Sequence, residues 1–422
     1  MREMKESGIA WIGEIPKEWE VCFIKQILRN KSIKGYPNEV VLSLYRDLGV
    51  IPKNSRDDNH NVTSDDTSSY KFVEKGDFVI NKMKAWQGSM AVSDYQGIIS
   101  PAYYICSFIN SKVFKKYIHY LLRNETYKAE YLRLSTGLRV GQWDLNINDF
   151  LCIKSVIPPF TEQQRIATFL DEKCKEIDAL IALQEEMITE LQAYKQSVIS
   201  EAVTKGLAPK VAMKDSGVEW IGEIPEHWEI KQLSSFFIEH KQKNKNLEEK
   251  NLLSLSYGRI IQKSIDTKEG LLPESFEGYN IIAPGDIVFR LTDLQNDKRS
   301  LRTGLCKERG IITSAYITLR KKSTVNSSYY HFLFHSYDIC KVFYGLGDGV
   351  RQGMNFSDLK KLLIVFPPLP EQQAIADYLD TQCTRIDSLI ALKQTKIESL
   401  KEYKKSVIYE YVTGKKEVPA TV

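Results

Sequence analysis

Few side chains in this 422-residue chain are arranged for covalent chemistry. The run Ile157-Pro158-Pro159-Phe160 has the outline of the Asn/Asp-Pro-Pro-aromatic signature that holds a target amino group for methylation. That chemistry needs an amide or carboxylate at the first position, and Ile157, like Phe366 in the matching run Phe366-Pro367-Pro368-Leu369, supplies neither. No Gly-x-x-x-x-Gly-Lys-Ser/Thr loop is present to cradle a phosphate, and Gly345, Gly347 and Gly349 do not lead into a helix opening with lysine. His331 and His335 stand four apart on a predicted helix and could share a metal, but no Glu between them or third clear ligand completes a site. An ordinary amphipathic face is the better reading of that pair. The chain reads as non-catalytic, with no cofactor and no metal site of its own.

What the residues offer instead is charge for binding. A net charge of +4 divides into +6 over residues 21–155, +7 over residues 230–364 and −9 over everything else. Basic blocks joined by acidic segments suggest two separate surfaces for a polyanion, with a spacer that does not bind it. The excess per block is modest, so a solvated mixed surface is the bland alternative. Apolar content of 43% and charged content of 27% are ordinary for a globular protein. No apolar run approaches the roughly 18 residues of a membrane span, and Met1–Glu6 does not open a secretory signal. Seven cysteines without a Cys-x-x-Cys pair argue for reduced thiols and a cytoplasmic setting. Cys174 and Cys383 read as small buried helix residues.

These blocks are positioned by a repeat. Pro158-Pro159-Phe160-Thr161-Glu162-Gln163-Gln164 opens a helical pattern running to about Thr204, and Pro367-Pro368-Leu369-Pro370-Glu371-Gln372-Gln373 opens another running to about Thr413. The offset between them is 209 residues, and the same offset carries Ser7-Gly8-Ile9-Ala10-Trp11-Ile12-Gly13-Glu14-Ile15-Pro16 onto Ser216-Gly217-Val218-Glu219-Trp220-Ile221-Gly222-Glu223-Ile224-Pro225. The chain divides into an N-terminal motif (1–20), a variable block (21–157), a long helix (158–206), a linker with the second motif (207–229), a second block (230–366), and a second helix with its tail (367–422). The segment after the second helix matches the linker after the first. The two units therefore read as a ring cut at one linker, which expects the Trp11 motif beside the end of the second helix.

Within the blocks, residues 40–44, 77–80 and 98–105 read as strands and 113–132 as one amphipathic helix. The second block follows the same order, with strands at 252–255, 286–291 and 311–319 and a helix over 327–343. Trp11, Trp19, Trp220 and Trp228 are expected as packing anchors. Thr161 is expected to cap the first long helix with Gln164 three residues on, while Pro370 suits a first helical position. Gly206 and Gly414 are the expected stops. Leu170, Cys174, Ile177, Ile181, Ile188, Leu191 and Val198 form a seam repeated from Leu379 to Val407, and Leu180, Leu183, Met187 and Tyr194 add a second stripe. About 40 residues make a rod of roughly 60 Å. Two such helices can bury one stripe against each other, leaving the second for a further partner.

The Trp-Ile-Gly-Glu-Ile-Pro motifs and the two Pro-Pro-x-x-Glu-Gln-Gln-x-Ile-Ala helix starts span nearly the whole chain. Two landmarks lie within the blocks. Gly76-Asp77-Phe78-Val79 pairs with Gly285-Asp286-Ile287-Val288, and Gly137-Leu138-Arg139-Val140-Gly141 with Gly349-Val350-Arg351-Gln352-Gly353. This pattern resembles the specificity subunit of type I restriction–modification enzymes. The resemblance implies two α/β (α+β) target-recognition domains joined by two long antiparallel coiled-coil helices in an internal pseudo-two-fold repeat. Each domain would read one half of a bipartite, asymmetric site in double-stranded DNA. The helices would set the spacing and dock two modification (methyltransferase) subunits, which restriction (translocase–nuclease) subunits then join. S-adenosylmethionine and ATP with Mg would be bound by those partners. A coiled-coil DNA-binding regulator or scaffold outside a restriction system is the alternative.

For DNA contact, polar and basic side chains beside the strand landmarks are the candidates. In the first block these are Lys82, Lys84, Trp86, Gln87, Ser100, Tyr103, Arg139 and Gln142. In the second they are Arg290, Thr292, Asp293, Gln295, Asn296, Lys298, Arg299, Ser314, Tyr316, Arg351 and Gln352. Arg suits guanine and Gln or Asn suits adenine, although phosphate contact is the commoner role for any one of them. Arg139 and Arg351 recur in both blocks, which fits holding the backbone better than specifying different sequences.

Overall fold

Short apolar strands separated by turns build the same four-stranded antiparallel sheet twice. The computed structural model describes residues 2–55, 66–139, 142–264, 275–292, 294, 301–344 and 353–419, with the backbone alone described at 138, 139 and 142. Two compact units emerge, Met1–Glu185 with Gln394–Val422, and Glu186–Lys393. In the first, β1 (Leu28–Lys31), β2 (Phe78–Asn81), β3 (Met90–Val92) and β4 (Tyr103–Phe108) lie in the order β1-β4-β2-β3. In the second, β5 (Phe237–Glu239), β6 (Ile287–Phe289), β7 (Thr303–Leu305) and β8 (Ile317–Lys321) repeat it as β5-β8-β6-β7.

Both faces of each sheet are covered. Phe78 and Ile80 of β2 face one core, shared with Tyr117, Ile118 and Leu121 of a following helix. Val79 between them faces a second, smaller core with Leu42, Leu44 and Ile105. The second unit alternates likewise, with Ile287 and Phe289 in its main core and Val288 against Leu253 and Ile312. The Gly-Asp landmark belongs to this framework. Asp77 Oδ2 accepts the Glu74 N–H at 2.7 Å and pairs with the Lys31 ammonium at 2.7 Å. Asp286 Oδ2 accepts the Ala283 N–H at 2.9 Å, and the two oxygens of the carboxylate take the two arms of Arg320, Nε on Oδ1 at 2.7 Å and Nη2 on Oδ2 at 2.6 Å.

Three segments depart from the sequence expectation. The strand expected over 98–105 is two, Gly97–Ile99 and Tyr103–Phe108, because Pro101 sits in a turn closed by Tyr103 N–H on the Ser100 carbonyl. Residues 311–319 break in the same way, at a turn closed by Tyr316 N–H on the Thr313 carbonyl. The single helix expected over 113–132 is also two, Lys115–Arg123 and Glu125–Leu134. Asn124 leaves helical geometry between them and caps the second, its side-chain oxygen accepting the Thr126 N–H at 2.9 Å.

The long helices α1 (Phe160–Lys205) and α2 (Leu369–Val412) each begin in one unit and end in the other. Thr161 is not the cap of α1. It lies in the first turn, and the Pro159 carbonyl takes the Glu162 and Gln163 N–H groups at 2.9 and 3.0 Å. Pro370 lies in the first turn of α2, where a missing N–H is harmless. Within the first unit the helices run antiparallel, with Phe169 against Tyr411 at 4.5 Å between ring centroids and Lys404 on Asp178 at 2.7 Å. The second unit repeats the ion pair as Lys195 on Asp387 at 2.7 Å.

Buried polar groups fix each helix start. The Glu162 carboxylate accepts the indole N–H of Trp19 at 3.1 Å and pairs with Arg2, while Glu371 accepts that of Trp228 at 2.9 Å. Trp19 and Trp228 are wholly buried, as the anchor reading expects. Gln163, equally buried, donates to the Lys112 and Pro158 carbonyls at 3.0 and 2.8 Å and accepts the Phe114 N–H at 2.7 Å. Gln372 donates to the Pro367 carbonyl at 2.8 Å and accepts the Asn326 N–H at 3.0 Å.

The helix ends meet the same tryptophans. Gly414 has φ +73°, and a Cβ there would lie 2.4 Å from Pro16, next to the Trp19 ring. Gly206, at φ +76°, sits against Trp228. Tyr117 donates to the Val412 carbonyl at 2.9 Å and Tyr329 to that of Val203 at 2.8 Å, closing the last turns. Lys415 also reaches the Glu14 carbonyl at 2.6 Å, so the N-terminal motif does sit beside the end of the second helix.

Replacing Gln163 by Met keeps the volume but leaves an amide and two carbonyls without partners. Urea unfolding should show a loss of about 2–4 kcal/mol, with the Phe114 amide among the first in the first unit to lose hydrogen-exchange protection.

Candidate nucleic-acid interface

In the first unit the candidate residues are gathered by one tight turn and the elements bonded to it. The β2–β3 connection folds on its own backbone. Asn81 and Ser89 bond N–H to carbonyl at 2.9 Å, Lys84 donates to Asn81 at 3.1 Å, and Ser89 donates to Lys84 at 3.2 Å. Ala85 is buried beneath it, which leaves Lys84 exposed and Lys82, Trp86 and Gln87 half-buried. Trp86 packs edge-on against Trp143 with centroids 5.1 Å apart, and its indole N–H is used by the Met83 carbonyl at 3.2 Å. Gln87 accepts a hydrogen bond from Arg46.

Two further segments join the turn. The Lys82 carbonyl accepts the Leu145 N–H at 3.0 Å, which draws in the hairpin of Ser135–Arg139 and Gln142–Leu145. Arg139 and Gln142 are paired across that hairpin. Lys82 N–H donates to Ala102 at 3.3 Å, and Tyr103 stands opposite Asn81 in the ladder. Ser100 caps its own turn, Oγ accepting the Ala102 N–H at 3.4 Å. Lys82, Lys84, Trp86, Gln87, Ser100 and Tyr103 thus lie on two neighbouring segments, with the hairpin of Arg139 and Gln142 as a third.

Lys71 and Lys34 belong to this cluster and are absent from the sequence candidates. Lys71 donates to the Tyr103 carbonyl at 2.7 Å and lies 5.7 Å from the Tyr104 ring centroid. Burial lowers its ammonium pKa, and repulsion from Lys82 and Lys34 lowers it further. Cations held this close favour a bound anion. The one sequence signal for Lys71 is its place between Tyr70 and Phe72, which strand packing explains equally well.

The second unit places its candidates on the equivalent strands. Arg290 and Thr292 continue β6, half-buried and exposed respectively. Ser314, exposed, and Tyr316, half-buried, lie on the turn into β8. The register Phe289 with Ile317 puts Arg290 opposite Tyr316, as Asn81 stands opposite Tyr103. Asp293, Gln295, Asn296, Lys298, Arg299, Arg351 and Gln352 lie outside the described residues. Arg302, passed over in the sequence, is wholly buried beside Arg290.

Among the described residues no group of three or more His, Cys, Asp or Glu could hold a metal, and no helix is long and apolar enough to cross a membrane. His331 and His335 have ring centroids 6.3 Å apart on the helix Ser327–Ile339.

Two variable units on one repeated framework, each carrying basic and aromatic side chains on matching strands, define a duplicated recognition protein. The model of the type I restriction modification DNA specificity domain matches residues 16–193 and again 225–402, and the chain belongs to that family as a DNA-recognition subunit of a type I restriction–modification system. Two specificity subunits of Methanocaldococcus jannaschii type I restriction enzymes, one named as MjaX and the other as MjaVIII, are each 26% identical. The first match covers 96% of this chain and 95% of the relative, the second 95% and 93%. The fold is similar to that of a chain from a type I R-M system studied for complex assembly and conformational transition, with TM-score 0.69, 14% identity and coverage of 94% and 98%. It is also similar to the HsdS subunit of Thermoanaerobacter tengcongensis, with TM-score 0.53, 15% identity and coverage of 95% and 98%.

The frameworks of both interfaces hold neutral imidazoles. His119 Nδ1 accepts the Val92 N–H at 3.2 Å, fixing β3 to the helix Lys115–Arg123. Burial, with Arg123 and Lys116 nearby, lowers its pKa from 6.5 to about 3. Burial likewise lowers His331 to about 3, with help from His335 and Lys307, and His335 to about 4, with help from Lys195. The unfolded chain takes up these protons near pH 6.5 and the folded chain does not. Stability should therefore hold above pH 6.5 and fall as pH drops from there toward 4. Urea midpoints at pH 7.5 and 5.0 measure the loss, and His331→Leu should reduce it.

Proposed function

We propose that each unit reads one half of a bipartite, asymmetric DNA site. The observation that carries this reading is the pairing of a repeated framework with unlike interface residues. Asn81 and Tyr103 in one unit stand where Arg290 and Tyr316 stand in the other. Two readers of one shape but different chemistry suit two unlike half-sites.

The long helices set the gap between the half-sites and dock two modification subunits, to which restriction subunits are added. Exposed Leu180, Leu183 and Tyr194, with Leu389, Leu392 and Tyr403 on the other helix, support a partner surface over an isolated DNA-binding regulator. The chain itself is non-catalytic. S-adenosylmethionine is bound by the modification subunit and ATP with Mg by the restriction subunit. DNA contact falls to Lys82, Lys84, Trp86 and Tyr103 with Lys71 in the first unit, and to Arg290, Thr292, Ser314 and Tyr316 in the second.

Exchanging residues 230–364 for the equivalent block of another family member should change one half of the methylated sequence, read by base-modification sequencing, and leave the other half intact. A change in both halves, or S-adenosylmethionine-dependent methylation by the purified lone chain, would sink this reading. Lys71→Ala and Lys82→Ala should each weaken DNA binding for cognate and unrelated duplexes alike. Each should also reduce the slope of log affinity against log salt by about 0.9. An unchanged slope for both would move the phosphate contacts elsewhere.

A further inference from the structure

The β2–β3 connection and the first residues of the β6–β7 connection, 290–292, are held in different ways. In the first unit the turn closes on its own backbone bonds, as described. In the second unit the position matching Ser89 is Arg302, since the register pairs Ile80 with Met90 in one sheet and Phe289 with Thr303 in the other. Arg302 is wholly buried, an arrangement that costs free energy unless every donor is used well.

Its donors are used on two backbone carbonyls and one hydroxyl. Nη1 reaches the Arg290 carbonyl at 3.3 Å and the Thr292 carbonyl at 2.9 Å, and Nε donates to the Tyr344 hydroxyl at 3.2 Å. The guanidinium lies 5.3 Å from the Tyr344 ring centroid. The residue's own N–H goes to the buried Asp338 carboxylate at 2.5 Å, and its carbonyl accepts the Arg290 N–H at 2.8 Å. From the other side, Met354 N–H takes the Leu291 carbonyl at 3.0 Å. All three carbonyls from 290 to 292 are thereby fixed just past the last ladder pair of β6. Alternate carbonyls of an extended strand point the same way, and one planar guanidinium can hold two of them while stacked on a ring. Lysine cannot take its place: its nitrogen lies one bond short of the Nη1 position, and it has neither the Nε that bonds Tyr344 nor a planar face for that ring.

We infer that Arg302 is a positioning residue for recognition of the second half-site: it sets the backbone from which Arg290 and Thr292 are presented to DNA. This rests on the reading that each unit takes one half-site. In the assembled methyltransferase, Arg302→Lys keeps the charge and removes the bridge. The test compares methylation of the cognate site with sites carrying a single base change in one half or the other.

With Arg302→Lys, discrimination within the second half-site should fall about tenfold, the scale of one lost base contact. Discrimination within the first half-site should stay at the parent value. A loss of activity that is uniform, with both discrimination ratios preserved, would mean that Arg302 only stabilises the fold, and would overturn the proposal. Should Arg302→Lys not assemble, Tyr344→Phe removes only the hydroxyl that Nε holds. About a threefold loss of second-half discrimination then supports the role, and an unchanged ratio overturns it. The block exchange described above tests the half-site reading separately, so failure of either idea is distinguishable from failure of the other.

Discussion

The structure depends on a carboxylate and an amide at the start of each long helix. Glu162 and Glu371 each take an indole N–H from a fully buried tryptophan, and Gln163 and Gln372 each bond the backbone just before an earlier helix of the same unit, Lys115–Arg123 or Ser327–Ile339. A helix start has free N–H groups and favours nearby negative charge. Here that preference is joined to a specific aromatic partner, which also abuts the glycine ending the other long helix. One tryptophan thus joins the beginning of one helix to the end of the other within a unit. Loss of the carboxylate leaves a buried indole N–H unpaired and loss of the amide leaves buried backbone groups unpaired, which explains why Pro-Pro-x-x-Glu-Gln-Gln and the tryptophan motif recur together.

On this frame the two units are free to differ where nothing else depends on them. Strand order, the Asp–cation turn and the tyrosine closing the helix end are the same in both. The connection carrying candidate DNA contacts is short and self-bonded in one unit; in the other it is longer in sequence, and its first residues, 290–292, are held by a buried arginine and by Met354. A frame that gains its stability from core, caps and helix packing tolerates replacement of an exposed turn at small cost. Divergent recognition can then evolve without disturbing the fold.

Electrostatics follow the same division. Acidic residues balance cations along the helices, as in Asp178 with Lys404 and Asp387 with Lys195. At the first interface burial, and then the nearby charges of Lys82 and Lys34, disfavour the Lys71 ammonium. Such a surface is poised to take up a phosphate-bearing partner.

The sequence by itself determined the duplication, the long helices with their glycine stops, the buried role of Trp19 and Trp228, and the basic character of both blocks. These are set by identity at a fixed offset, by helical periodicity and by charge, all of which are local or countable. It also placed Tyr103 and Tyr316 among the candidates, though not their equivalence, since their spacing differs from the 209-residue offset. Only the tertiary structure decided that Ser100-Pro101-Ala102 interrupts a strand, that Asn124 splits a helix, and that Pro159 rather than Thr161 supplies the first accepting carbonyl. Lys71 joined the interface only through the fold, and Arg302, which the sequence did not single out, is buried and bonds the carbonyls of Arg290 and Thr292. Each of these depends on which distant backbone groups come within hydrogen-bonding reach. No pattern of residue types along a chain specifies that until the sheet register has brought them together.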